Sequence, residues 1–258
     1  MQTLTRDGIK LCFDERGAGG VPFVFVPGGS CDHWSFHRQL EHFAAAGRCI
    51  SLDLRGHGHS DKPEQDYTIE GYADDVAWVI AQLGLERPVV VGHSMGGAIA
   101  VQLAAGNPQR CRAIVLVDPA PVYDNRAGFQ AMLDAFAKWG PAAVRARVFR
   151  NFFLDGFDEA LLAEVDAHAA LTPDRVFAAE VASLRDWDGA ATAAAVTVPV
   201  LHIAAAHPTC TPARLVEAIP HAVTGQTVGA GHFNMLEVPD QVNSMIDNFV
   251  RQYVQRAG

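Results

Sequence analysis

The chain has 258 residues, 49% hydrophobic and 19% charged, with a formal net charge of −9. A chain of that length can bury roughly three quarters of the surface it exposes when unfolded, so one sizeable core is expected. The acidic balance argues against nucleic acid, whose binding is driven by clustered Lys and Arg, and no stretch approaches the ~20 apolar residues of a membrane span.

The first residues, MQTLTRDGIKLCF, lack the apolar run of a signal peptide, and a cytoplasmic protein is expected. Candidate strands follow at 9–14, 23–26, 49–52, 89–91, 113–117, 200–203 and 223–228. From Phe23 onward these runs are mostly continuous rather than alternating, which suits strands covered on both faces. Between them Tyr72, Val76, Val79, Ile80 and Leu83 recur at three- and four-residue spacing, the signature of one helix face. Strands alternating with helices predict a doubly wound α/β fold. The stretch 120–196 breaks the alternation: it is aromatic-rich, helical in period and has no convincing strand. It reads as a helical lid set into a core made of 1–119 and 197–258. Five scattered cysteines (Cys12, Cys31, Cys49, Cys111, Cys210) form no CxxC pair, so neither a disulfide frame nor a metal site is expected. No cofactor is expected either, and oligomeric state is not written in the pattern.

Chemistry enters at Gly92-His93-Ser94-Met95-Gly96-Gly97, which lies between a candidate strand and a helical run. G-x-S-x-G in that setting lifts a serine hydroxyl above the sheet edge and aims a helix N-terminus at developing negative charge. A serine hydroxyl needs a base. His232, after the last strand, reaches the same edge. His93 points away along the turn, and His57 and His59 belong to the Arg55 turn as hydrogen-bonding loop residues.

With these motifs the chain resembles the α/β-hydrolase superfamily over nearly its whole length. The resemblance also rests on Val26-Pro27-Gly28-Gly29-Ser30, on Asp53-Leu54-Arg55-Gly56-His57-Gly58-His59-Ser60, and on Gly229-Ala230-Gly231-His232-Phe233. It implies a mostly parallel central sheet flanked by helices, with the lid inserted after the sixth strand. It also implies His232 as the base and an oxyanion hole made by the amides of Gly29 and Met95. Most relatives carry their triad acid after the strand at 200–203, where this chain has Ala204-Ala205-Ala206-His207 and no carboxylate. Some branches take the acid from the strand after the nucleophile helix, and Asp118 ends that strand here. Glu237 follows His232 too closely, Asp186 and Asp188 lie in the lid, and Asp53 belongs to the Arg55 turn.

Ser94, Asp118 and His232 are thus the expected catalytic set, acting on a hydrophobic or aromatic carboxylic ester or a lactone. Lactonases of the zearalenone-degrading type are similar in their shifted acid. Trp139 and Phe153 of the lid, with His33 and His207 from loops, are the expected substrate contacts. A second resemblance is to the cofactor-independent dioxygenases that open 3-hydroxy-4-oxoquinoline rings, through Cys31-Asp32-His33, the lid segment 154–159, Leu201-His202-Ile203 with Pro208-Thr209, and the acid at 118. There a His–Asp pair deprotonates the substrate and the serine is not acylated. A non-catalytic ligand receptor on the same fold is the third reading; it has no need of serine, base and acid together.

Overall fold

The computed structural model describes residues 1–255. Eight strands form one sheet: β1 (Gln2–Arg6), β2 (Ile9–Gly20), β3 (Phe23–Val26), β4 (Gly47–Leu52), β5 (Val89–His93), β6 (Ala113–Val117), β7 (Val200–Ala204) and β8 (Val223–Gln226), in the order β1-β2-β4-β3-β5-β6-β7-β8. β1, β2 and β4 pair antiparallel, and all other neighbours are parallel.

The continuous apolar runs work because the sheet is covered twice. Along β3, Val24 and Val26 face one side with Ile50, Val90 and Leu116. Phe23 and Phe25 face the other side with Cys49, Val91 and Val115. Strand side chains alternate in direction, so filling both faces requires every position of a central strand to be apolar. The first face is covered by α2 (Ile69–Gln82) and α3 (Met95–Gly106), the second by α1 (His37–Phe43) and α11 (Pro239–Phe249). Helix α3 is buried on nearly all sides, which explains its near-uniform apolar sequence. The missing sequence prediction is β1. Its QTLTR is polar and mostly exposed because it is an edge strand with a single partner, so it has little apolar signal to read.

Between β6 and β7 lie five helices: α4 (Arg126–Trp139), α5 (Pro141–Asn151), α6 (Glu159–Ala169), α7 (Asp174–Asp186) and α8 (Gly189–Ala194). Of these, α4, α5 and α7 share a small core of Phe136, Val144, Phe177 and Val181, while α6 and α8 pack onto the two faces of the main body. The short α9 (Pro212–Ala218) follows β7, and α10 (Asn234–Glu237) follows the loop that carries His232. No helix among the described residues is long and apolar enough to cross a membrane.

Candidate active site

The turn between β5 and α3 places Ser94 at φ 51° and ψ −118°, a strained backbone for a residue with a side chain. Glycines make the turn possible by close approach. A Cβ on Gly92 would lie 2.1 Å from the Gly96 carbonyl oxygen, and one on Gly96 would lie 2.1 Å from that of Val26. The strand, the helix and the end of β3 therefore crowd together beneath the serine. The amide of Met95 opens α3, and neither it nor the amide of Gly29 has a backbone partner among the described residues. Both residues line the same cavity as Ser94.

Asp118 follows β6, also at positive φ (38°), and is fully buried. Its amide donates to the Ile203 carbonyl (2.8 Å), and its Oδ1 accepts from the Ala205 amide (3.1 Å). Its Oδ2 lies 2.6 Å from Nδ1 of His232. The imidazole is thus oriented by a carboxylate from the strand next to the serine's own, with Nε2 left as the free ring nitrogen. The loop after β7, which carries no carboxylate in Ala204-Ala205-Ala206-His207, still contributes an amide that holds Asp118.

The rest of the His232 loop is equally tied down. The His232 amide donates to the Phe152 carbonyl (2.7 Å), and the Phe152 ring lies against the imidazole at 4.1 Å between centroids. The Gly231 amide donates to Glu237 Oε1 (2.9 Å). His93 is directed away from the cavity, with Nε2 2.9 Å from the His232 carbonyl oxygen. Burial, with His232 nearby, pushes its pKa well below the ordinary imidazole value. A neutral ring donating through Nε2–H fits that contact.

A cavity of about 120 Å³ opens above Ser94, smaller than the ~300–1,000 Å³ of typical ligand clefts. Gly29, Met95, Ala120 and Pro121 line its base, and Phe129, Met132, Phe149, Phe152, Phe177 and Leu184 come down from the inserted helices.

A family model described as alpha/beta hydrolase fold matches residues 21–239. The chain belongs to the α/β-hydrolase fold family. A solved structure described as an N-acyl homoserine lactone degrading enzyme is similar to this hydrolase-fold chain with a TM-score of 0.88 at 29% identity, over 96% of this chain and 100% of that one. The enol-lactonase of Burkholderia xenovorans matches with a TM-score of 0.88 over 97% of this chain and 100% of its own, at 24% identity, a likeness of fold alone. Among curated relatives, the dihydrolipoyllysine-residue acetyltransferase component of the acetoin cleaving system of Cupriavidus necator is 39% identical over 115 residues, 44% of this chain and 30% of that protein. The 2-(acetamidomethylene)succinate hydrolase of Mesorhizobium japonicum is 34% identical over 119 residues, 46% of this chain and 42% of its own. The matched stretch spans less than half of either relative.

The hydrolase fold brings Ser94, Asp118, His232, Gly29 and Met95 to one edge of the sheet, but the four expected substrate contacts lie outside the cavity lining. His33 is held by Asp53, with Nδ1 2.7 Å from Oδ1. Burial opposes charge on His33, and the Asp53 carboxylate outweighs it and raises the imidazole pKa. His207 is exposed at its loop tip, and Thr209, two residues on, lines the cavity instead. Trp139 is 56% exposed at the end of α4, with Lys138 over its ring. Phe153 packs on Phe157 and Phe233.

Sequence reasoning named none of the lid residues that do line the cavity, and Glu180 is the charged one among them. Glu180 on α7 is 1% exposed, and its Oε1 is in ion-pair contact with Nε2 of His57. The signal was present: Glu180 interrupts the apolar set Phe177, Val181 and Leu184 on one helix face. His57 is a loop hydrogen-bonder as expected, with Nδ1 3.0 Å from the Arg55 carbonyl oxygen, and it also joins the insert to the body.

Proposed function

We propose that the protein is a serine hydrolase that cleaves a carboxylic ester or lactone of a small apolar or aromatic molecule through an acyl-Ser94 intermediate. The observation that carries this reading is the 2.6 Å contact between Asp118 and His232, at the same sheet edge as a serine on a strained strand-to-helix turn. Nε2 of His232 takes the Ser94 proton as the hydroxyl attacks the carbonyl carbon. Asp118 stabilises the imidazolium that forms and keeps the ring in the tautomer that leaves Nε2 free. The amides of Gly29 and Met95 receive the oxyanion, and such donors contribute roughly 3–4 kcal/mol each. His232 then protonates the leaving alkoxide, and a water activated by the same nitrogen releases the acid.

The inserted helices act as a lid that gives the site its apolar walls and keeps bulk water out. The small cavity favours a compact acyl group. The similarity to an N-acyl homoserine lactone degrading enzyme supports an ester or lactone as the bond cleaved.

A fluorophosphonate probe is expected to label Ser94, and p-nitrophenyl butyrate is expected to be turned over; Ser94→Ala loses both. The Asp118–His232 pair would serve the dioxygenase reading as well, but His33 and His207, its expected contacts to a heteroaromatic ring, are outside the cavity lining. Oxygen uptake with a 3-hydroxyquinolone that survives in Ser94→Ala would overturn the hydrolase reading.

A further inference from the structure

Glu180 is the ionisable side chain among those lining the cavity above Ser94, and the acyl-transfer chemistry has no use for it. Its Oε1 is occupied: Nε2 of His57 is in contact with it, and the Tyr72 hydroxyl donates to it at 3.4 Å. Its Oε2 is buried and has no hydrogen-bond partner among the described residues. That oxygen sits beside the oxyanion loop, since a Cβ on Gly29 would lie 3.1 Å from it. Leaving a buried carboxylate oxygen unpaired costs about 1–3 kcal/mol, and more when it is charged. A group kept in that state within a substrate cavity is poised for a ligand.

The chemistry of that ligand follows from the proton between Glu180 and His57. Nδ1 of His57 faces the Arg55 carbonyl and so carries a hydrogen. Burial opposes charge on His57 and the Glu180 carboxylate outweighs it, which favours a second ring hydrogen, on Nε2 toward Oε1. With that hydrogen on the ring, Oε2 remains an acceptor. With the imidazole charged the pair is neutral overall, so a neutral donor suits the position better than a cation. Because Oε2 adjoins Gly29, whose amide is assigned to the carbonyl oxygen, the donor belongs on the carbon next to the scissile carbonyl.

We infer that Glu180 Oε2 is a specificity-determining acceptor for a hydroxyl or N–H on the α-carbon of the acyl group, so that the preferred substrates are α-hydroxy or α-acylamino esters and lactones. This rests on the hydrolase reading of the same site. It also accounts for an anion beside an oxyanion hole, since a substrate donor turns that carboxylate away from repelling the developing charge.

The test separates binding from turnover. In Ser94→Ala, calorimetry compares mandelamide with α-methoxyphenylacetamide, which differ by the loss of the donor, and with phenylacetamide. Mandelamide is expected to bind at least about tenfold tighter than either, the usual worth of a hydrogen bond to a charged acceptor. In Ser94→Ala/Glu180→Gln, His57 and Tyr72 hold the amide oxygen and the NH₂ faces the ligand. The advantage of mandelamide over its methyl ether is then expected to collapse. Equal binding of the three amides in Ser94→Ala would overturn the inference. So would an unchanged preference in the double variant, even if its melting temperature falls, because Glu180 would then only be fastening the insert. Turnover of methyl mandelate and methyl phenylacetate by the wild-type protein is a separate readout. If neither ester nor p-nitrophenyl butyrate is cleaved and the fluorophosphonate does not label Ser94, the hydrolase reading fails, while the amide preference still decides the role of Glu180.

Discussion

Ser94 and Asp118 are both non-glycine residues at positive φ, each one step past the end of its strand. Such backbones cost of order 1–3 kcal/mol and persist where the surroundings over-determine them. Here the surroundings are hydrogen bonds. The Ser94 amide donates to Val117 O (3.2 Å) and its carbonyl accepts from the Gly97 and Ala120 amides, while Asp118 is fixed from β7. The two residues therefore lock each other's strands at the edge where the chemistry is assigned. Asp118→Asn is expected to lower kcat by about 10³–10⁴ with little change in KM, as when a triad carboxylate becomes an amide. His207→Ala, at an exposed loop tip, is expected to stay within about twofold, in line with surface changes that touch no site. Steady-state kinetics on one ester decides between them, and the reverse ranking would remove Asp118 from its assigned role.

At the scale of elements, the inserted helices and the His232 loop form one unit. A Cβ on Gly231 would lie 2.0 Å from the Phe152 carbonyl oxygen, the same oxygen that accepts from the His232 amide. Gly231→Ala therefore has to push the two segments apart. It is expected to cost about 1–3 kcal/mol, the range for overpacking a tight site, and to lower kcat more than it raises KM. Urea unfolding and ester kinetics on the variant check both, and an unchanged kcat would show that His232 does not depend on this contact. The insert also explains why its aromatics could not be sorted from the sequence. Phe129, Phe149, Phe152 and Phe177 line the cavity while Phe153 and Phe157 pack on each other, and nothing in spacing separates neighbours such as Phe152 and Phe153. Only the way α4, α5 and α7 lean on the sheet edge assigns their directions.

Across the whole molecule, the sheet buries titratable groups that set its response to acid. His202 on β7 is fully buried, and burial pushes its pKa down to about 4 against the pull of Asp118 and a Cys210 backbone group. An unfolded chain's imidazole takes up a proton near its ordinary 6.5. Between about 6.5 and 4 the unfolded state therefore binds more protons than the folded one, and stability falls as pH is lowered through that window. The loss from His202 amounts to at most about 3 kcal/mol. His202→Leu is expected to flatten this part of the curve in urea titrations from pH 7 to 4, and an unaltered slope would assign the acid response elsewhere. The sequence by itself determined the α/β alternation, the doubly covered central strands and the serine turn. Each of these is a local pattern, periodicity or close-packing glycine, that neighbouring residues must satisfy whatever else the chain does. The tertiary structure alone brought Asp118 within 2.6 Å of a histidine 114 positions away. It alone set Glu180 of the insert beside the glycine loop after β3, and turned His33, Trp139, Phe153 and His207 away from the cavity. Those relations depend on which strands lie side by side and on how helices lean over their ends, and such long-range distances leave no mark on the spacing of residues along the chain.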